Sequence, residues 1–355
     1  MKPLFPTMLT VLTTNTCNAA CGHCTVHSSP QRRGRLSLET MTRVIDDLHE
    51  VSGLQVVVFA GGEPTLMKGS LLDAIAHCDA RGIPTRMVTN ASWATSDYAA
   101  RKMVRTLREA GLAELNLSAD DFHLPFISFD NIVRAWRASK GQGFLNVAIA
   151  NCYGPQSKIT PDFIRRELNE PDIEVRFDDQ GSQTQPRAVS KDGSTYMLSN
   201  GLLQRIGRAR EHVGDDDLFY PSSQAQLDMA CPWAIRSAAL APSGHLVACC
   251  GIEAAGNEVL DFGEVLTQSP SSVAREAALD LLVNAISAIG PYRLLQLAQA
   301  LDRSRTVTTR ERYASMCEAC EDLVRQPAAI AVLRKHSVVV GREVAAKLER
   351  EACLT

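Results

Sequence analysis

Met8-Leu9-Thr10-Val11-Leu12-Thr13-Thr14-Asn15-Thr16-Cys17-Asn18-Ala19-Ala20-Cys21-Gly22-His23-Cys24 runs from an apolar, β-branched stretch straight into three closely spaced cysteines. Met8–Thr13 reads as a buried strand. The C-x3-C-x2-C loop that follows can hold three irons of a cubane cluster by thiolate and leave the fourth iron open for chemistry. With His23 or His27 as a fourth ligand, the same cysteines could instead close a tetrahedral zinc site.

Working outward, apolar runs of strand length alternate with amphipathic stretches of helical length, the pattern of a parallel α/β sheet. Further strands are expected at Leu54–Ala60, Pro84–Thr89, Leu112–Ser118, Phe144–Ala150 and Ile173–Phe177. Helices are expected near Ser37–Val51, Gly69–Arg81, Ser96–Gly111, Phe129–Lys140 and Pro161–Leu168. Start signals support several of them: Ser37 precedes Glu39 and a periodic apolar face, Asp130 and Asn131 open another helix, and Pro161 suits a first turn. Directly after the second strand stands Gly61-Gly62-Glu63-Pro64. Two glycines let a backbone approach a ligand closely, and proline stiffens the exit. Standing alone, the tetrapeptide would be only a turn.

The cysteine spacing, His23 at the often aromatic position before the last cysteine, and GGEP one strand–helix unit later together resemble the radical S-adenosylmethionine (SAM) enzymes. The resemblance implies a partial (β/α)6 barrel with active residues on the loops after the strands, as in barrels generally. It implies that Cys17, Cys21 and Cys24 hold a [4Fe–4S] cluster whose fourth iron chelates the methionine moiety of SAM. Reductive cleavage of SAM then yields a 5′-deoxyadenosyl radical that abstracts a substrate hydrogen. In the same reading Gly61, Gly62, Glu63 and Pro64 bind the SAM ammonium through backbone carbonyls and the acidic side chain. Val88-Thr89-Asn90-Ala91 resembles the family's TNG-like segment, placing Asn90 beside SAM. Leu117-Ser118-Ala119-Asp120-Asp121-Phe122-His123 resembles the S-x-D segment near the ribose, which carries over to Ser118 and Asp120. Asp121 and His123 are candidates for a substrate-side acid or base; the alternatives are an ordinary polar loop and a packing histidine.

Composition changes after the barrel. From Asp178 to about Ser223 the chain is rich in Gly, Ser, Gln and Asp, with an acidic Asp215-Asp216-Asp217 run, and reads as a long connection with one short helix near Leu202–His212. Beyond it, Cys231, the turn residue Gly244, the pair Cys249-Cys250 and the C-x2-C of Cys317 and Cys320 resemble the truncated SPASM or "twitch" extension of radical SAM enzymes. Cys231, Cys249, Cys317 and Cys320 would then close an auxiliary [4Fe–4S] cluster, with Cys250 an alternative to Cys249. Structural zinc and unligated buried cysteines are the competing readings. Four protein thiolates leave no open iron, which favours an electron acceptor and hence oxidative chemistry. Asp261–Val265 resembles a segment that often follows the first auxiliary cysteines. Ser271–Asp302 is helical by period, and Pro327–Glu351 reads as one final helix. The expected division is 1–185 for the barrel, 186–224 for the connection, 225–326 for a small α+β auxiliary-cluster domain with a helical insert, and 327–355 for the C-terminal helix. Cys78, Cys152 and Cys353 have no mutual ligand spacing; Cys78 packs in a helix, and Cys152, after the fifth strand, could face the barrel mouth.

The chain has 355 residues, 45% of them hydrophobic, enough for a large core, and 37 basic against 40 acidic residues give a formal charge of −3. No basic field points to nucleic acid, and no apolar stretch reaches the ~20 residues of a membrane span. Met1–Pro6 lacks a signal-peptide core, so a cytoplasmic oxidoreductase is expected. Its expected partners are a substrate and an electron donor such as flavodoxin or ferredoxin. The family's maturases of ribosomally synthesised peptides make a peptide the first choice of substrate. Residues 1–6 leave no room for a leader-binding domain, so either a separate leader-peptide-binding protein or the barrel itself is expected to hold the peptide. Oxidation or rearrangement of a small natural product (a sugar, aminocyclitol or nucleoside) is the alternative. A non-enzymatic zinc scaffold would use the same cysteines, but GGEP argues against it.

Overall fold

Strands β1 (Met8–Leu12), β2 (Val56–Ala60), β3 (Thr85–Thr89), β4 (Glu114–Ser118) and β5 (Asn146–Tyr153) lie side by side, parallel and in chain order. The computed structural model that shows them describes residues 5–175, 193–249 and 252–352. Each crossover carries a helix: α1 (Leu38–Ser52), α2 (Gly69–Asp79), α3 (Asp97–Glu109) and α4 (Phe129–Ser139), with α5 (Pro161–Leu168) following β5. Helix α1 shows why the pattern was legible. The Ser37 hydroxyl caps it by accepting from Thr40 N–H, Met41, Val44, Ile45 and Leu48 line one buried face, and Gly53 at φ 63° ends it in the left-handed region. The buried faces of these helices and the strand residues Leu9, Val57, Phe59, Met87, Leu115 and Val147 form the first core.

The α/β class and the barrel-like succession agree with expectation, but the sixth strand differs. Of Ile173–Phe177, the described part forms β6 (Glu174–Val175) while Arg176 and Phe177 lie outside the described residues, and the neighbour of β5 is instead β7 (Thr195–Leu202), in register from Asn146↔Thr195 to Tyr153↔Leu202. Strand β6 sits outside β7 at the sheet edge. The segment read as a connection therefore contains a barrel strand. Its polar Ser199, Asn200 and Gly201 conceal the apolar period, while Met197 and Leu198 do the burying. The helix expected over Leu202–His212 shrinks to α6 (Ala209–His212), and Asp215–Asp217 is a 3-10 turn.

On the other flank, β8 (Ser237–Leu240) pairs in parallel with β1, and β9 (His245–Val247) and β10 (Asp261–Glu264) continue antiparallel. Gly244, at φ 82°, turns the β8–β9 hairpin as expected. One ten-stranded sheet, in the order β10-β9-β8-β1-β2-β3-β4-β5-β7-β6, thus crosses the boundaries drawn near 185 and 225.

The helical stretch 271–302 resolves into α7 (Pro270–Ala277), α8 (Leu281–Ala288) and α9 (Pro291–Leu301). Asp280 caps α8 by accepting from Leu282 N–H and Val283 N–H, and Gly290 at φ 87° turns the chain before Pro291. After α10 (Met316–Val324) the expected single last helix is two, α11 (Pro327–Lys335) and α12 (Ser337–Ala352), parted at His336. Residues of α8 to α12 and β9 build a second core, against which Cys24, Cys231, Cys317 and Cys320 all pack. Among the described residues, no single helix is long and apolar enough to cross a membrane.

Candidate active site

The cysteine loop leaves the C-terminal end of β1 and is fixed by short ties to residues 28–35. Thr14 Oγ1 donates to Gly34 O at 2.9 Å, Thr16 Oγ1 to Arg32 O at 2.8 Å, and Cys17 N–H to Ser29 O at 3.1 Å. Two sulfurs receive main-chain donors: Ala19 N–H reaches Cys17 Sγ at 3.4 Å and Ser28 N–H reaches Cys24 Sγ at 3.3 Å. Burial pushes the Cys17 thiol up to about 12, and the neighbouring charges of Glu63, Cys21 and Cys24 add to it against the Ala19 bond. A lone desolvated thiol stays protonated; bound iron would hold it as thiolate. Three converging cysteines with N–H donors already aimed at two sulfurs fit a thiolate-bound iron–sulfur cluster.

GGEP packs against this loop with its main chain. Gly62 N–H donates to Thr14 O at 2.7 Å and Glu63 N–H to Thr16 O at 3.1 Å. A Cβ on Gly62 would stand 2.0 Å from Thr16 O, so the glycine is required by the approach of the chain's own backbone. The Glu63 side chain is fully buried and faces the protein. Its carboxylate accepts from Thr65 N–H at 3.2 Å, Thr65 Oγ1 at 2.6 Å, Thr89 Oγ1 at 2.8 Å and Asn90 N–H at 3.0 Å. Burial pushes its pKa up, and these bonds pull it back. The carboxylate thus joins the ends of β2 and β3, while Pro64 begins a 3-10 turn. Asn90 reaches the cysteine loop, donating Nδ2–H to Asn18 Oδ1 at 2.7 Å and approaching Cys17 Sγ at 3.6 Å.

Beyond β4, Asp120 gathers two histidines. Its Oδ2 is 3.0 Å from His23 Nε2, and its Oδ1 is 2.9 Å from His123 Nδ1 and accepts Phe122 N–H at 3.0 Å. Phe122 stacks on the His23 ring at 4.7 Å. His23, a possible zinc ligand on sequence grounds, therefore has its Nε2 committed to Asp120. Burial works against ionisation of Asp120, but His123 and His23 outweigh it and hold the carboxyl well below its usual range. Burial likewise lowers His123, yet the charge and hydrogen bond of Asp120, with a further bond to the Cys21 thiol, push it up to about 10. Asp121 accepts Lys158 N–H at 3.0 Å and Ile159 N–H at 3.1 Å, so it pins the loop after β5. Ser118, half-buried, closes β4 in register with Ala150. Cys152 lies on β5 beside Phe122 and the 203–220 segment, its thiol pushed up to about 12 by burial and the Asp120 charge.

The second cysteine set also comes together. Cys317 and Cys320 stand three apart on α10, hence on one face. Cys249 follows β9, and Cys231 N–H donates to Ile286 O at 3.1 Å. Burial raises Cys320 well above the ordinary thiol range, and the charges of Cys249, Cys317 and Cys231 raise it further. Four cysteines gathered near one another are the donor set of a closed, fully Cys-ligated cluster. Cys250 and Cys353 lie outside the described residues.

The residues joining the two sets were not anticipated. Arg208 donates its N–H to Cys24 O at 3.1 Å, and its guanidinium to Cys21 O at 2.8 Å and Ser28 O at 2.7 Å. The preceding Gly207 donates to Glu321 Oε2, on α10, at 2.9 Å. Its φ of +57° and the 2.6 Å that a Cβ would leave to Thr25 O explain the glycine. That glycine was the one visible signal; an arginine binding carbonyls leaves no pattern.

Residues 11–155 match the Radical SAM superfamily. The chain carries a radical SAM domain. Over 166 residues the chain is 28% identical to Fe-coproporphyrin III synthase of Methanosarcina barkeri, covering 46% of this chain and 38% of that protein. Over 106 residues it is 31% identical to PqqA peptide cyclase of Bradyrhizobium diazoefficiens, covering 30% of this chain and 26% of that protein. The matches span no more than 38% of these curated relatives' length. In fold, the chain is similar to the crystal structure of BtrN in complex with AdoMet and 2-DOIA, with a TM-score of 0.50 at 13% identity over 91% of this chain and 100% of that one. The radical SAM domain contains the first cysteine set, GGEP, Asn90 and the Asp120 pair of histidines, whereas the second cysteine set lies outside the matched residues.

Proposed function

We propose that this radical SAM enzyme carries out an oxidative modification in which the second cysteine set, holding an auxiliary [4Fe–4S] cluster, accepts the electron that the substrate gives up. The convergence of Cys231, Cys249 and Cys317 on Cys320 carries the reading. With a cluster on Cys17, Cys21 and Cys24 and SAM bound, the first site supplies the radical that removes a substrate hydrogen. The chain's own residues orient and enclose that chemistry. The GGEP main chain and Asn90 face SAM, Glu63 holds them in place, and Ser118 with Asp120 lies on the ribose side. Arg208 fixes the cysteine loop. Residues 225–326 would form the auxiliary-cluster part.

A ribosomally made peptide is the substrate class we favour, supported by the likeness to PqqA peptide cyclase. A small-molecule substrate is the second reading, supported by the longer match to Fe-coproporphyrin III synthase. An electron-carrier protein and, for a peptide, a separate leader-binding protein would be partners in the cytoplasm.

Anaerobic reconstitution should give about eight irons per chain, two cubanes. Replacing Cys17, Cys21 and Cys24 by alanine should leave about four and abolish SAM cleavage. The Cys317→Ala, Cys320→Ala double variant should still cleave SAM to 5′-deoxyadenosine but make no product. The assay is mass loss from a short peptide encoded beside the gene, with a small-molecule panel as the other arm. A folded double variant that makes product at the wild-type rate would sink the acceptor role.

A further inference from the structure

Helix α3 is basic within an acidic chain. It carries Arg101, Lys102, Arg105 and Arg108 against Asp97 and Glu109, while the whole chain has a net charge of −3. Arg101, Lys102 and Arg105 are exposed, as is Lys68 across from them at the start of α2. Between α2 and α3 runs a groove of about 560 Å³, floored by Leu72, Met103 and Trp93 and rimmed by Lys68, Lys102 and Tyr98. Tyr98 is 73% exposed. An apolar floor between two lysines, with the exposed Arg101 and Arg105 further along the same helix, suits an acidic protein whose contact patch has an apolar centre.

The floor of this groove leads to the first cysteine. Trp93 Nε1–H donates to Thr89 Oγ1 at 3.0 Å. Thr89 is bonded to Asn90, whose Nδ2 lies 3.6 Å from Cys17 Sγ. One hydrogen bond, one residue step and one side-chain contact therefore separate an indole in the groove from a cluster-binding sulfur.

We propose that the α2–α3 groove is the docking site of an acidic one-electron carrier protein, and that Trp93, Thr89 and Asn90 form its route to Cys17. The inference rests on the radical SAM reading of the first site. In the docked pair the carrier's reduced flavin or iron–sulfur centre is oxidised by one electron and the cluster at Cys17, Cys21 and Cys24 is reduced by one; no bond forms or breaks. Docking is electrostatic, so its rate falls with salt. Trp93 is a positioning residue at the entrance of the route.

Reduced flavodoxin serves as the acidic probe, and stopped-flow loss of cluster absorbance is the readout. Lys102→Glu with Arg105→Glu should lower the bimolecular reduction rate at low salt about tenfold or more and flatten its salt dependence. Iron content and the rate of reduction by dithionite should stay at wild-type values. Trp93→Phe should leave the half-saturating carrier concentration unchanged and slow the saturating rate severalfold. Unaltered flavodoxin-driven rates in both variants would overturn the proposal. A wild-type protein that assembles no dithionite-reducible cluster would overturn the radical SAM reading itself, and the docking with it.

Discussion

Glu63 shows how a motif residue can be found by pattern while its task is set by packing. Its four donors come from Thr65, Thr89 and Asn90, and nothing of the side chain reaches solvent. Glu63→Ala would orphan four buried donors, so a loss of about 3–5 kcal/mol is expected in urea unfolding, with SAM affinity falling because Asn90 is no longer held. Glu63→Gln, which keeps the shape, should cost less than half as much. Weakened SAM binding with an unchanged unfolding midpoint would instead mean that the carboxylate meets the ligand ammonium directly. Residue-scale reading has most to work with where chemistry demands a residue type, and the cysteines named for each set do lie near one another in the fold. The partners of Asp121 were not legible, since Lys158 and Ile159 are 37 and 38 positions away.

At the scale of elements, α10 is held by buried ions. Arg205 Nε is 2.7 Å from Glu318 Oε1, and its other nitrogens reach Asp215 at 2.6 Å and the Tyr220 hydroxyl at 3.1 Å. Glu318 is 0% exposed. Arg205→Ala would leave that carboxylate with Arg310 at 3.7 Å and the Ala314 N–H at 2.7 Å. A destabilisation of about 3 kcal/mol is expected, since removing one partner strands a buried charge. It should be accompanied by lower iron retention at Cys317 and Cys320. Differential melting and iron analysis check both, and an unchanged melting point would show that Arg310 suffices. Helices and central strands with clean apolar periods were legible; β7 was not, because a strand bearing Ser, Asn and Gly looks like a loop until its neighbour supplies the pairing. The strand expected at residues 173–177 is present as β6, but its place was not legible: β7 takes the position beside β5 and β6 stands outside it at the sheet edge.

Across the whole molecule, one sheet supports both cores. Cys78 lies in the first of them, 0% exposed, its thiol pushed up to about 12 by burial. At pH 8 it should resist iodoacetamide in the folded protein and react only as fast as the molecule unfolds, so that its labelling rate rises with urea in step with loss of circular dichroism. Rapid labelling in native buffer would reveal local opening of α2. The α/β class and the order of the first five strands were readable because crossover helices and parallel strands repeat one pattern. The parallel seam between β1 and β8 was not, since it joins Met8 to Ser237 and local period carries no information across such a distance.

The link between the cysteine loop and α10 is built in good part from peptide groups: Arg208 N–H on Cys24 O, Gly207 N–H on Glu321. Alanine scanning erases side chains and leaves amides in place, so at Arg208 it would report only the guanidinium, and at Gly207 it would report the clash of an added Cβ with Thr25 O rather than the bond its N–H makes. Chemical synthesis that swaps the 207–208 amide for an ester would delete one donor without altering any side chain. A mutational map of this protein would therefore under-count the contacts that keep its two cysteine sites in a fixed relation.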